Sequence, residues 1–238
     1  MKVGVADIIE DLPEPKRKRS GLSGSSNSPN GGGRNPGGGG DSPYGDDDID
    51  DKRFVPAKAR ILTAFLLLIV LMTFGGLIAA YVVIATNGVA EWQPFALPLP
   101  VWISTALILA SSLAYHYGKT AIERNDHDAT KKWLIVTTVL GAAFISSQFL
   151  AWLALSVRGL YMASNPYAGF FYVMTAVHGV HVLGGIAALG SVLLRSWYPT
   201  EDPEMVLKRA TLAQAVGWYW HFMGILWIVL FVLLGFWK

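Results

Sequence analysis

The sequence contains no cysteine, which removes disulfides, thiolate metal clusters, iron–sulfur centres and thiol catalysis together. Charge is scarce as well. Only 15% of the 238 residues are Asp, Glu, Lys or Arg, where a soluble domain carries roughly a quarter. A formal net charge of +2 gives no reason to expect nucleic acid as a partner. The first ten residues lack the basic start and apolar run of a signal peptide. No phosphate-binding glycine loop, HExxH or nucleophile elbow occurs. The glycine run over 31–40 lacks the strand, lysine and helix of a phosphate cradle, so it reads as linker.

What the chain has in abundance is apolar surface, at 53% of residues. Its distribution is uneven. Residues 20–43 are almost wholly Gly, Ser, Asn and Pro, flanked by a basic cluster (Lys16 to Arg19) and an acidic one (Asp46, Asp47, Asp48, Asp50, Asp51). Such composition buries too little to offset the entropy of ordering. Residues 1–55 are therefore expected to be a disordered cytoplasmic tail, and 56–238 the folded domain. A helix crosses the bilayer core with about 20 apolar residues. Segments near 60–86, 98–118, 132–157, 168–196 and 211–237 meet that requirement. The expected fold is an all-α integral membrane bundle of five transmembrane helices behind the tail.

The loops carry an orientation signal. Lys52, Arg53, Lys58 and Arg60 precede the first span, Lys119, Arg124, Lys131 and Lys132 separate the second from the third, and Arg195, Lys208 and Arg209 separate the fourth from the fifth. The other side shows only Arg158 and Lys238. The positive-inside rule then expects a cytoplasmic N-terminus and a C-terminus across the membrane. Trp92, Trp102, Trp133, Trp197 and Trp237 fall where interfacial anchors belong. Small residues four apart (Gly75 and Ala79, Gly76 and Ala80, Ala142 and Ser146, Ala143 and Ser147, Gly184 and Ala188) suggest close helix packing.

Polar side chains inside spans are the candidates for function. His178 and His181 lie three apart and share a helical face. His221 sits in span five between Trp220 and Phe222, and Gln148 is well inside span three. The histidines have three readings: hydrogen bonds that hold helices together, proton transfer, or ligation of haem or metal through neutral imidazole. Paired haems would need a fourth histidine, for which His116 is the nearest candidate. Interhelical hydrogen bonding through His178, His181, His221 and Gln148 is the expectation adopted. No span interior holds a carboxylate, which removes the usual relay of pumps. Glu123, Asp126, His127 and Asp128 read as a solvated loop.

The run Phe170 to Val182, containing His178-Gly179-Val180-His181, resembles the paired-histidine signature of subunit III of haem–copper oxidases, the cytochrome c type in particular. Trp218-Tyr219-Trp220-His221-Phe222 followed by Trp227 resembles that family's closing motif. Trp102, Ser104, Thr105, Ser111 and Ser112 in span two, and Trp133, Leu134, Leu140, Gly141, Phe144, Gln148 and Trp152 in span three, follow in the family's order. The resemblance covers residues from about 60 to the end and corresponds to a short bacterial form matching the last five of seven helices.

The resemblance implies a subunit without catalytic site, cofactor or metal of its own. It would support assembly, stability and proton uptake beside oxidase subunits I and II, which hold haem and copper, with phospholipid as its associated ligand. It implies a multi-pass protein of the bacterial inner membrane, with the C-terminus periplasmic. A quinol-oxidase or nitric-oxide-reductase accessory subunit and a small histidine-ligated membrane cytochrome are the alternatives. Val70, Gln214 and Gly224 stand where many family members carry acids.

Overall fold

Helix ends in this chain are set by capping side chains and prolines more than by the limits of apolar sequence. The computed structural model describes residues 56–87, 91–124, 126–198 and 202–237; the expected tail, 1–55, lies outside them. Five helices follow: α1 Pro56–Thr86, α2 Leu99–Glu123, α3 His127–Val157, α4 Pro166–Ser196 and α5 Pro203–Phe236. Each is long and apolar enough to cross a membrane, and no strand occurs among the described residues. Asp126 accepts from Ala129 N (3.1 Å) at the start of α3, and Asn165 accepts from Ala168 N (2.8 Å) at the start of α4. Asp202 does the same for Glu204 N (3.1 Å) before α5. Pro166 and Pro203 follow their caps at the first helical position, where no amide hydrogen is needed. Behind α3, Gly159 at φ +73° closes the helix: its N–H bonds Ser156 O, and Leu160 N–H reaches Leu155 O.

The helices overrun the expected spans where charge begins. α2 runs on to Glu123, α3 starts at His127 and α5 at Pro203. A hydropathy reading stops at Lys119, Lys131 and Lys208. Lysine and glutamate are nonetheless good helix formers, and pairs such as Lys119–Glu123 (3.6 Å) and Lys208–Glu204 (2.8 Å) bridge one turn. These extra turns all lie at one end of the bundle.

Partner numbers show how the helices pack. Along α2 and α3, Pro100 meets Ser147, Ser111 meets Thr137, and Gly118 meets Trp133, so the pair is antiparallel. The α3–α4, α4–α5 and α2–α5 pairs behave alike. α2, α3, α4 and α5 thus form a closed ring. α1 stands outside it against α5 and α4, parallel to α5. Its upper tie is Tyr81 OH to Trp237 O (2.7 Å), its lower one Arg60 to Gln214 Oε1 (3.4 Å). Of the five it is the least buried. This arrangement puts every described lysine and arginine except Arg158 at the end where α1 begins.

Three of the small-residue pairs, Gly75 and Ala79, Gly76 and Ala80, and Ala142 and Ser146, do not pack against a neighbouring helix, whereas Ser147 is buried against α2. A Cβ on Gly75 or Gly76 would meet nothing within 4 Å, and Ala79, Ala80, Ala142 and Ser146 are exposed. The tightest approaches are at Gly141, Gly185 and Gly217, which lie against aromatic rings, while Gly118 lies against the Cβ of Trp133. Rings fill the space at those three glycines, whereas α2 and α3 approach each other directly at Gly118.

Candidate functional site

The ring of helices closes around tryptophans of α5. Trp220 is buried, and its indole lies against Gly141 of α3 and Gly185 of α4. A Cβ at those glycines would come within 2.8 Å and 3.0 Å of the indole carbons. The Trp220 Nε1–H donates to Ser111 Oγ of α2 (3.0 Å), which leans on Thr137 O of α3 (3.4 Å). Two turns on, Trp227 Nε1–H donates to Thr105 Oγ1, also on α2 (3.0 Å). Residues seven apart share a helical face, so one stripe of α5 reaches two hydroxyls of α2. Tyr115 of α2 reciprocates by donating its O–H to Ala213 O while its ring occupies the space beside Gly217.

Gln148 does bridge helices. Its Nε2 donates to Ser104 Oγ of α2 (2.7 Å), and the Ser104 hydroxyl in turn donates to Val101 O (2.8 Å). Beside it Ser147 Oγ donates to Pro100 O (2.7 Å). On the next interface Trp152 Nε1–H donates to Thr175 Oγ1 (3.0 Å), joining α3 to α4.

The histidines differ from one another. His178 is fully buried, yet neither ring nitrogen has a hydrogen-bond partner among the described residues. Instead its ring is enclosed by Trp227 (5.2 Å between centroids), Phe144 (5.8 Å) and Phe74 (6.1 Å). It fills a socket of carbon contributed by α1, α3 and α5, so it holds helices together by packing and not by the expected hydrogen bond. His181 Nδ1 lies 2.7 Å from Val177 O of its own helix, which places the proton on Nδ1. Its backbone carbonyl accepts from Tyr219 OH of α5 (2.9 Å), and its ring meets Phe74 of α1 edge-on (5.6 Å). His221 turns away from this pair and packs its ring on Tyr115 (5.9 Å).

The geometry therefore brings His178 and His181 together on Phe74 and places His221 on the α2 side. Among the described residues no three His, Asp or Glu side chains gather as a metal site. Sequence reasoning missed Trp220 and Trp227 as the groups that close the ring. The available signal was their seven-residue spacing, matched by the hydroxyls Thr105 and Ser111 six apart on α2.

Comparison with known proteins agrees with this architecture. The family model described as cytochrome c oxidase subunit III matches residues 64–238, which span all but the start of α1 and reach the end of the chain. The chain is 36% identical over 167 residues to a cytochrome c oxidase subunit 3 of Thermostichus vulcanus, covering 68% of this chain and 79% of the relative. It is 34% identical over 172 residues to a probable cytochrome c oxidase subunit 3 of Nocardia farcinica, covering 70% and 81% respectively. A subunit 3 of Corynebacterium diphtheriae is 33% identical over 171 residues, covering 70% and 82%.

Proposed function

This chain belongs to the cytochrome c oxidase subunit III family, and from that membership we propose a non-redox role beside subunits I and II of a haem–copper terminal oxidase. The chain is a multi-pass membrane component of an oxidase complex. In the proposed role it holds no haem or copper and has no catalytic site of its own. It supports the assembly, stability and proton uptake of a complex that moves electrons from cytochrome c to oxygen, forming water.

The observation that carries the non-redox reading is the setting of His178. An axial or metal ligand needs an open position in front of a ring nitrogen, whereas aromatic carbon from three helices surrounds this ring. The buried Ser104, Ser111, Thr175 and Gln148 take part in hydrogen bonds that join neighbouring helices. The concentration of cations at one end supports an orientation with that end in the cytoplasm of a bacterial cell, the N-terminal arm inside and the C-terminus outside. Phospholipid is the associated ligand of this reading.

The deciding experiment is mild solubilisation of native membranes followed by capture through a C-terminal tag. Subunits I and II should co-purify with haem and copper, and the purified assembly should oxidise reduced cytochrome c faster than quinol. Recovery of the chain without haem–copper subunits would sink the reading. Quinol as the preferred donor would reassign it to a quinol oxidase.

A further inference from the structure

The end of the bundle at which α1 begins carries more positive charge than its own carboxylates use. Arg124 closes α2, Lys131 and Lys132 stand in the second turn of α3, Arg195 in the last turn of α4 and Arg209 in the second turn of α5. No ion pair among the described residues engages any of these five. The nearby carboxylates have other work: Asp126 and Asp202 cap helices, while Glu123 and Glu204 pair with Lys119 and Lys208. Asp128 of α3 adds one negative charge against the five. Arg124, Lys132 and Arg195 are exposed, and Arg209 keeps its Nε buried without a hydrogen-bond partner among the described residues.

The opposite sign is present on the segment that leads into this same end. Asp41, Asp46, Asp47, Asp48, Asp50 and Asp51 fall within eleven positions that hold no lysine or arginine. Lys52 and Arg53 follow, and α1 begins at Pro56. The first turns of α1 are held beside α5 by Arg60 on Gln214, which is about a turn and a half from Arg209. Asp51 precedes Arg60 by nine residues, and that much extended chain reaches about 30 Å. Helices packed about 8–10 Å apart make a ring of four about 20 Å across, so all five cations lie within reach. The basic run Lys16 to Arg19 is a poorer match. Pairing with it closes a loop of 26 residues, and neither run lies on a described helix. Lipid headgroups surround the rim of the bundle, whereas the turns carrying Lys131 and Arg209 run past the apolar spans.

We propose that the acidic segment 41–51 folds back onto this end of the bundle and is the counter-charge of Arg124, Lys131, Lys132, Arg195 and Arg209. A short tether holds it at high effective concentration, so that exposed pairs which are weak singly act as a set. Covered in this way, the end of the bundle draws in neither anionic lipid nor a foreign polyanion. The docking depends on α1 and the cations sharing one end of the bundle, and not on which side of the membrane that end faces.

The test uses the full chain in its native membranes, with the photo-crosslinking residue benzoylphenylalanine replacing Ile49 inside the acidic run. Illumination should link it to peptides of the same chain from the α2–α3 turn or the start of α5. Asp46→Asn, Asp47→Asn, Asp48→Asn, Asp50→Asn and Asp51→Asn made together keep the probe and the tether but remove the charge. The yield of those links should then fall about five-fold or more, as the loss of a set of surface ion pairs requires. Opened membranes in about 0.5 M salt, where the screening length is about 4 Å, should show the same fall with no further substitution. Arg124→Gln, Lys131→Gln and Lys132→Gln together should produce it from the bundle side. Equal yields with and without the aspartates mean that the tether alone brings the segment near, and overturn the docking. Links confined to lipid, to residues 16–19, to another subunit or to a second copy overturn it as well.

Discussion

Trp220 donates its indole N–H to Ser111 Oγ at 3.0 Å while the same ring lies against Gly141 and Gly185, so one side chain joins four helices. Trp220→Phe should keep most of the packing and lose the bond, costing about 1 kcal/mol. Trp220→Ala should cost about 3–5 kcal/mol by leaving a cavity at the centre of the ring. Detergent-titration unfolding of the purified protein measures both, and equal losses would contradict the placement.

The glycines beneath that indole should be intolerant of a methyl group. Gly141→Ala places a Cβ 2.8 Å from the Trp220 ring, and overpacking of this kind costs about 1–3 kcal/mol. Gly76→Ala is the matched comparison, because nothing lies within 4 Å of its Cβ position. Thermal unfolding should separate the pair, with Gly76→Ala at or above the wild type.

His178→Phe should be tolerated. The imidazole makes no hydrogen bond among the described residues and is surrounded by rings, so exchanging it for an apolar ring removes two unpartnered nitrogens from a buried site. Stability should hold or rise, with oxygen consumption by the assembled complex within about two-fold of wild type. A collapse of turnover with assembly intact would give His178 a chemical role.

Because the chain has no cysteine, its orientation can be read with single cysteines. Asp128→Cys lies at the cation-rich end and Ser164→Cys at the other. An impermeant maleimide applied to intact spheroplasts should label Ser164→Cys and spare Asp128→Cys until the membrane is opened. The reverse pattern would invert the proposed topology.

Asn165→Ala tests the cap of α4. It removes the acceptor for Ala168 N at 2.8 Å and should cost about 1 kcal/mol. Hydrogen exchange should rise at the first turn of α4, which carries the buried Tyr167, and stay unchanged at Met174.

The five helices could be read in advance because lipid leaves a long apolar segment little choice but a helix. Their extra turns could not, since hydropathy penalises the same Lys119 and Lys208 that helix propensity accepts. The family resemblance rested on residues that turn out to be structural: Trp220, Trp227 and Gly141 meet each other or α2. Gln148 was legible as an interhelical donor because a buried amide in lipid needs a partner. His178 was misread, since the rule that buried polar groups find partners gave way to aromatic packing from Phe74, Phe144 and Trp227. Those three rings come from different helices, and no local pattern brings them together. Gly75 and Gly76 show the opposite error, where a spacing common in apolar sequence implied a contact absent from the bundle.

The closed ring of α2 to α5 has a consequence for the order of events during synthesis. α2 finds α3 almost at once, across a short turn, but the hydroxyls of Thr105 and Ser111 have no tryptophan to meet until the last helix has been made. The seats at Gly141 and Gly185 also wait empty for Trp220. Without α5 the seams of the other three helices stay open to lipid. The ring of helices becomes coherent only when α5 is in place, so that helix completes what the other three prepare.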